Sequence, residues 1–191
     1  MKFKEFDELL APLLPFLSEV GFTYSDGCFE RRLPNGIRHI LFFDLDPKSG
    51  KTFRLIAGFG SKEIHGERRA SDVGVFGVRY VSTGGWADKP SSIPCYSRGV
   101  AVQSLNRVAK ILVETVIPWM DSVDSICILA SLIESTYPYI KGKLLLACGD
   151  TEGARECFRD HLEYLRKSPN SAEKNGWIEE TERLIDVCNQ S

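Results

Sequence analysis

The stretch from Cys28 to Val81 constrains the chain most, because turn residues divide it at strand-length intervals. Four runs follow one another: Cys28–Leu33, Ile37–Leu45, Thr52–Phe59 and Asp72–Val81. Pro34-Asn35-Gly36 separates the first two, and Pro47-Lys48-Ser49-Gly50 the next two. Proline pre-sets φ for a turn, and Asn and Gly tolerate positive φ, so both segments read as hairpin connections. Short connections between neighbouring strands imply an antiparallel meander.

The second run is apolar on both parities. Ile37, His39, Leu41, Phe43 and Leu45 share one face, and Arg38, Ile40, Phe42 and Asp44 the other. The third run repeats the pattern. A strand apolar on both faces is covered on both faces. Ile37–Phe59 is therefore expected at the centre of the sheet, with its second face covered by the C-terminal helices or by a partner protein. Gly74 and Gly77 in the fourth run indicate a bulge or a close backbone approach.

Everything flanking this stretch reads as helix. In Phe3–Val20 the residues Phe3, Phe6, Leu10, Leu13, Leu14 and Leu17 return every three to four positions. Pro12 and Pro15 each remove a backbone donor, so a kink or a break is expected there, with Gly21 as the stop. Beyond Ser82–Arg98 the helical pattern resumes: Val100–Ile117 ended by Pro118, then Val123–Ser135 capped by Asp121 or Ser122, Tyr139–Cys148, Thr151–Lys167 and Ala172–Asn189. Asn170 and Glu173 form a capping box for the last of these, whose apolar stripe begins at Trp177. The fold class is thus α+β: an N-terminal helix, a four-stranded antiparallel meander and C-terminal helices including a helical hairpin. It divides into an α+β domain over 1–120 and a helical extension over 121–191 packed on it. Phe6, Leu10, Leu13, Leu41, Phe43, Leu55, Ile111 and Leu112 are expected to be buried together.

Charge follows this division. Residues 28–82 carry ten basic and six acidic groups, whereas residues 121–191 carry eight and thirteen. The sheet is the basic part, and its arginines include Arg38, Arg54 and Arg79. A pI near 6.0 and the acidic C-terminal part argue against a general duplex binder, so nucleic acid is not the expected partner. The N-terminus alternates apolar and charged residues and lacks the uninterrupted apolar core of a signal peptide. The apolar run Ile126–Ile133 is far short of a membrane span. A cytoplasmic location is expected, with no membrane association. Six cysteines with no C-x-x-C pair then read as free thiols.

Three motif fragments fail on inspection. Ser49-Gly50-Lys51-Thr52 resembles the end of a phosphate-binding P-loop, but Leu45 stands where the first glycine is needed and a strand follows. His65-Gly66-Glu67 with Pro94-Cys95 resembles a zinc deaminase signature, but Arg98 occupies the place of the second cysteine and would repel the metal. In Gly58-Phe59-Gly60 the third glycine of a dinucleotide fingerprint is Glu63. These fragments imply no catalytic residue, cofactor or metal.

Ser82–Arg98 is longer than a strand–helix connection requires, and it carries Trp86 and Tyr96. Long loops inside domains are often functional. The two aromatics are either binding anchors or plugs closing the sheet edge.

Lys141–Lys167 partly resembles a tetratricopeptide hairpin, with Gly142, Gly149, Ala154 and Phe158 at that motif's spacing. The small residues among them let two helices approach closely. The order of a first helix closing with Gly21-Phe22, a basic and aromatic meander, a helix running into Pro118-Trp119, and a hairpin around Gly149-Asp150 and Ala154 resembles an uncharacterised family of small bacterial α+β proteins. That resemblance implies a cytosolic protein of the kind that serves as an immunity partner of a secreted toxin, and it carries over no site residue. The function expected is a non-catalytic protein-binding module. Trp86, Tyr96 and Arg79, with Arg38 and Arg54, would contact an acidic protein partner. The alternative is a small-molecule or nucleotide-binding enzyme whose site is assembled from residues distant in sequence.

Overall fold

The structure is a computed structural model that describes residues 3–25, 27–66, 68, 75–167 and 172–190. The N-terminal helix is interrupted where the prolines fall. α1 (Phe3–Leu10) passes into a 3-10 turn (Ala11–Leu13) and then α2 (Leu14–Glu19). Pro12 and Pro15 each lie in the first turn of a new segment, where a missing N–H costs little. Gly21 ends the helix at φ 87°, and the Phe22 N–H donates to the Leu17 carbonyl at 2.8 Å.

The sheet is an antiparallel path β1 (Thr23–Ser25), β2 (Cys28–Arg32), β3 (Ile37–Leu45), β4 (Thr52–Ser61), β5 (Phe76–Ser82) and β6 (Gly85–Ala87). A two-residue β7 (Ile93–Pro94) pairs with β4. The class is α+β, with more strands than the four expected. The meander's centre is β3–β4, in register from Ile37 opposite Ser61 to Leu45 opposite Phe53. The expected start of the fourth strand, Asp72–Gly74, lies outside the described residues. Gly77 has φ 60° where the β4–β5 register shifts between Ala57 and Phe59, the bulge the sequence indicated.

One face of the sheet packs Phe6 of α1 on Phe53, ring centroids 5.2 Å apart, and Phe43 lies between Phe53 and Phe29. Of the expected core, only Ile111 is half-buried; the other seven residues are buried. The second face is covered in part by the connection between β4 and β5. Ile40 is fully buried there, and a Cβ at Gly60 would meet both the His65 ring and Ile40. A short helix α3 (Lys62–His65) carries His65 to that position, with Ser61 capping it.

The helix after the sheet does not stop at Pro118. α4 (Arg98–Ile111) continues through a π-helical segment (Leu112–Val116) into α5 (Ile117–Asp121). The Ile117 N–H donates to the Leu112 carbonyl five residues back. Widening the turn just before Pro118 lets the chain stay helical through a residue that ends an ordinary α-helix.

The chain divides into two units, Met1–Val123 and Asp124–Ser191. The second consists of α6 (Ile126–Leu132), α7 (Pro138–Ala147), α8 (Thr151–Lys167) and α9 (Ala172–Gln190). α6 is capped by Ser125, not by Asp121 or Ser122: its hydroxyl accepts from the Ile128 N–H. The expected cap at Asn170 lies outside the described residues. The α7–α8 turn is closed by Gly149 at φ 86° and by Asp150, whose carboxylate accepts from the Gly153 N–H at 2.9 Å. Ala154 and Phe158 of α8 pack with Leu184 and Cys188 of α9. Trp177, expected on the buried stripe of α9, is 47% exposed. Cys127 and Cys148 form a disulfide across a separation of 21, which corrects the reading of six free thiols. Cys28, Cys95, Cys157 and Cys188 are free.

Candidate functional site

The sheet register sets a row of side chains across its helix-covered face. Arg31 of β2 lies opposite His39 of β3, and His39 lies opposite Phe59 of β4. On β5, Arg79 lies opposite Ala57, and Val81 lies opposite Trp86 of β6. Paired residues of adjacent strands share a face, so this row runs over five strands. α5 crosses it with Trp119 and Asp121. Ring centroids are 5.5 Å apart for His39–Phe59, 4.8 Å for Phe59–Trp119 and 5.0 Å for Trp119–Trp86.

The row holds one arginine toward each side, Arg31 on β2 and Arg79 on β5, and the two differ. Arg31 is closed. Its Nη2 donates to Asp121 and to His39 Nδ1, the latter at 2.6 Å, and its Nη1 donates to the Val20 carbonyl at 3.1 Å. Since a guanidinium only donates, Nδ1 is the acceptor and the neutral ring carries its proton on Nε2. Burial first, and the adjacent Arg31 charge second, push the His39 pKa down to about 4, against the weaker pull of Asp121 and the Val123 backbone. His39 is therefore a neutral, fully buried strut.

Arg79 is open. Its guanidinium carbon lies 4.8 Å from the Trp119 ring centroid and 5.3 Å from that of Trp86. The residue is exposed, and among the described residues no carboxylate pairs with it. Two indole rings at 77° to one another thus hold a cation whose hydrogen-bonding edge is free.

The structure does not assemble the five expected contact residues into one surface. Arg79 and Trp86 come together. Arg38 lies on the opposite face, is 2% exposed, and gives Nη1 to the Arg68 carbonyl and Nη2 to the Gly66 carbonyl, with Glu30 3.3 Å from Nη1. It fastens the β4–β5 connection and is withdrawn from any partner. Arg54 is on that same opposite face and pairs with Asp44. Tyr96 is 66% exposed but precedes α4, whereas Trp119 follows it, and the intervening helical rod is about 30 Å long.

Trp119 is the residue sequence reasoning missed as a site member. Its signal was indirect: an aromatic just past a helix-breaking proline, which an ordinary α-helix would not have carried onto the sheet. Among the described residues no three His, Cys, Asp or Glu side chains converge as metal ligands, and no helix is long and apolar enough to cross a membrane. No family model, curated protein or solved structure matches the chain.

Proposed function

We propose that the protein is a non-catalytic protein-binding module whose contact surface is Arg79 with Trp86 and Trp119, recognising a carboxylate of an acidic protein partner. The observation that carries this reading is the open guanidinium held between two indole rings. An exposed arginine ordinarily loses rotamer freedom on binding; stacking fixes this one beforehand. Arginine and tryptophan are the residue types most enriched among interface hot spots, where truncation costs about 2 kcal/mol or more.

The enzyme alternative finds less support. The two groups whose pKa moves furthest are His39 and Cys28, the latter pushed up to about 12 by burial and Glu30. They occupy opposite faces of the sheet, not one cavity. The finer reading, an immunity protein masking a secreted toxin, rests on the family resemblance of the sequence.

The experiment is affinity capture from the source organism with wild type, Arg79→Glu and Trp86→Ala, with thermal melts as folding controls. A protein retained by wild type and lost by both folded variants supports the reading; equal retention by all three refutes it. Arg79→Glu should chiefly slow association, more so at low salt, and Trp86→Ala should chiefly speed dissociation. The immunity reading further requires the retained protein to be toxic alone and harmless when co-expressed.

A further inference from the structure

A separate feature lies at the other end of the α4–α5 rod. There α1 and the segment leading into α4 enclose an open cavity of about 390 Å³, lined by Glu5, Glu8, Leu9, Tyr96, Ser97 and Arg98. That volume is at the small end of the range of about 300–1,000 Å³ typical of ligand sites. Glu5, Glu8 and Leu9 share one side of α1 by their spacing of three and four. Tyr96, Ser97 and Arg98 are consecutive and form the facing wall.

The lining separates charge by wall. Carboxylates stand on α1 and a guanidinium on the facing segment, yet among the described residues neither Glu8 nor Arg98 makes an ion pair. The buried Leu9 completes the α1 wall, and the exposed Tyr96 ring completes the facing one. A cation alone would meet Arg98, and an anion alone would meet Glu5 and Glu8. A ligand bearing both an ammonium and a carboxylate satisfies both walls, and its apolar part has Leu9 and Tyr96 to rest on. The guanidinium fork suits a carboxylate in bidentate fashion, and a carboxylate accepts from an ammonium through charge-assisted bonds.

We infer that this cavity binds a small zwitterion, a free amino acid with an apolar or aromatic side chain. The inference is independent of the Arg79 surface, since the two are separated by the length of the rod. It also gives Tyr96, which the fold withholds from the protein-contact surface, a role of its own.

The test is ligand-observed NMR on the full chain with the common free L-amino acids, taken to millimolar concentration. At least one apolar or aromatic amino acid should bind saturably. Its amide, which lacks the carboxylate, and its N-acetyl form, which lacks the ammonium, should each bind at least about tenfold more weakly. Arg98→Gln and Glu8→Gln, both at exposed positions, should weaken the free amino acid by a similar factor with unchanged melting. Arg79→Glu should leave it unaffected. A silent panel overturns the inference, as does binding that tolerates either blocked form or either cavity variant.

Discussion

Replacing Gly142 with alanine probes the closest approach in the helical unit. Gly142 is buried in α7, and an added Cβ would stand 2.7 Å from Phe158 Cε1, 2.9 Å from Cδ1 and 3.1 Å from Cζ. Those atoms are the edge of a rigid ring that is itself fully buried against Ala154, Leu184 and Cys188. The helix alone would favour the change by about 1 kcal/mol, because alanine loses less backbone entropy than glycine. Relieving three contacts on one ring requires the ring or the helix to shift, and overpacking of this kind costs about 1–3 kcal/mol. The propensity gain offsets only part of the steric cost, so Gly142→Ala should destabilise the Asp124–Ser191 unit by about 1 kcal/mol. Hydrogen exchange on the full-length chain reads this directly: amides of α7 and α8 should lose protection about fivefold. Phe158→Leu in the Gly142→Ala background should restore part of the α7–α8 packing, a coupling that independent sites would not show. Increased protection in Gly142→Ala by the propensity amount would refute the close approach and the hairpin geometry built on it.

Three further outcomes are expected. His39, held neutral with its pKa down at about 4, gives stability that is complete above about pH 6.5 and is lost as pH falls toward 4, by at most about 1.4 kcal/mol per unit; His39→Gln should flatten the denaturation midpoint over that window, and a slope equal to wild type contradicts the assignment. Arg38→Leu leaves the carbonyls of Gly66 and Arg68 and the Glu30 carboxylate short of a donor, and should cost about 2–4 kcal/mol in chemical denaturation. Reducing Cys127–Cys148 reopens a loop whose closure is worth about 3 kcal/mol, so a reductant should lower the stability of the helical unit, and alkylation without reductant should spare these two thiols.

What could be read in advance depended on how far the determining interactions extend along the chain. Ile37–Leu45 was legible to the residue because its apolar run is bounded by turn residues on both sides, and Thr151–Lys167 because four helical turns keep one stripe buried. β1, β6 and β7 have two or three residues each. Nothing so short has a period, and these strands exist only because a neighbour's edge pairs with them. The same locality explains the site. Arg79 and Trp86 are close in sequence, and adjacent strands bring them together. Arg38 looked like one more sheet arginine until the β4–β5 connection folded over it, and Tyr96 looked like a neighbour of Trp86 until a rod of helix was seen to separate its end of the sheet from Trp119. The Cys127–Cys148 pair left no motif because only tertiary packing of α6 on α7 brings the two together.

The π segment before Pro118 has a consequence for how this surface could change over time. Each residue of an α-helix advances the chain by about 100°, and a π-turn absorbs one residue without breaking the rod. Leu105, Val108 and Leu112 anchor the rod before that point; Trp119 meets Phe59, Trp86 and Arg79 after it. The aromatic bridge therefore depends on residue count as much as on residue identity. A descendant that gained one more residue between Leu112 and Trp119, beyond the one the π-turn already absorbs, would keep Arg79, Trp86, Trp119 and its whole sheet, yet its indole would be turned by about 100° away from the arginine it supports. Such a chain would align almost perfectly with this one and would present a different surface.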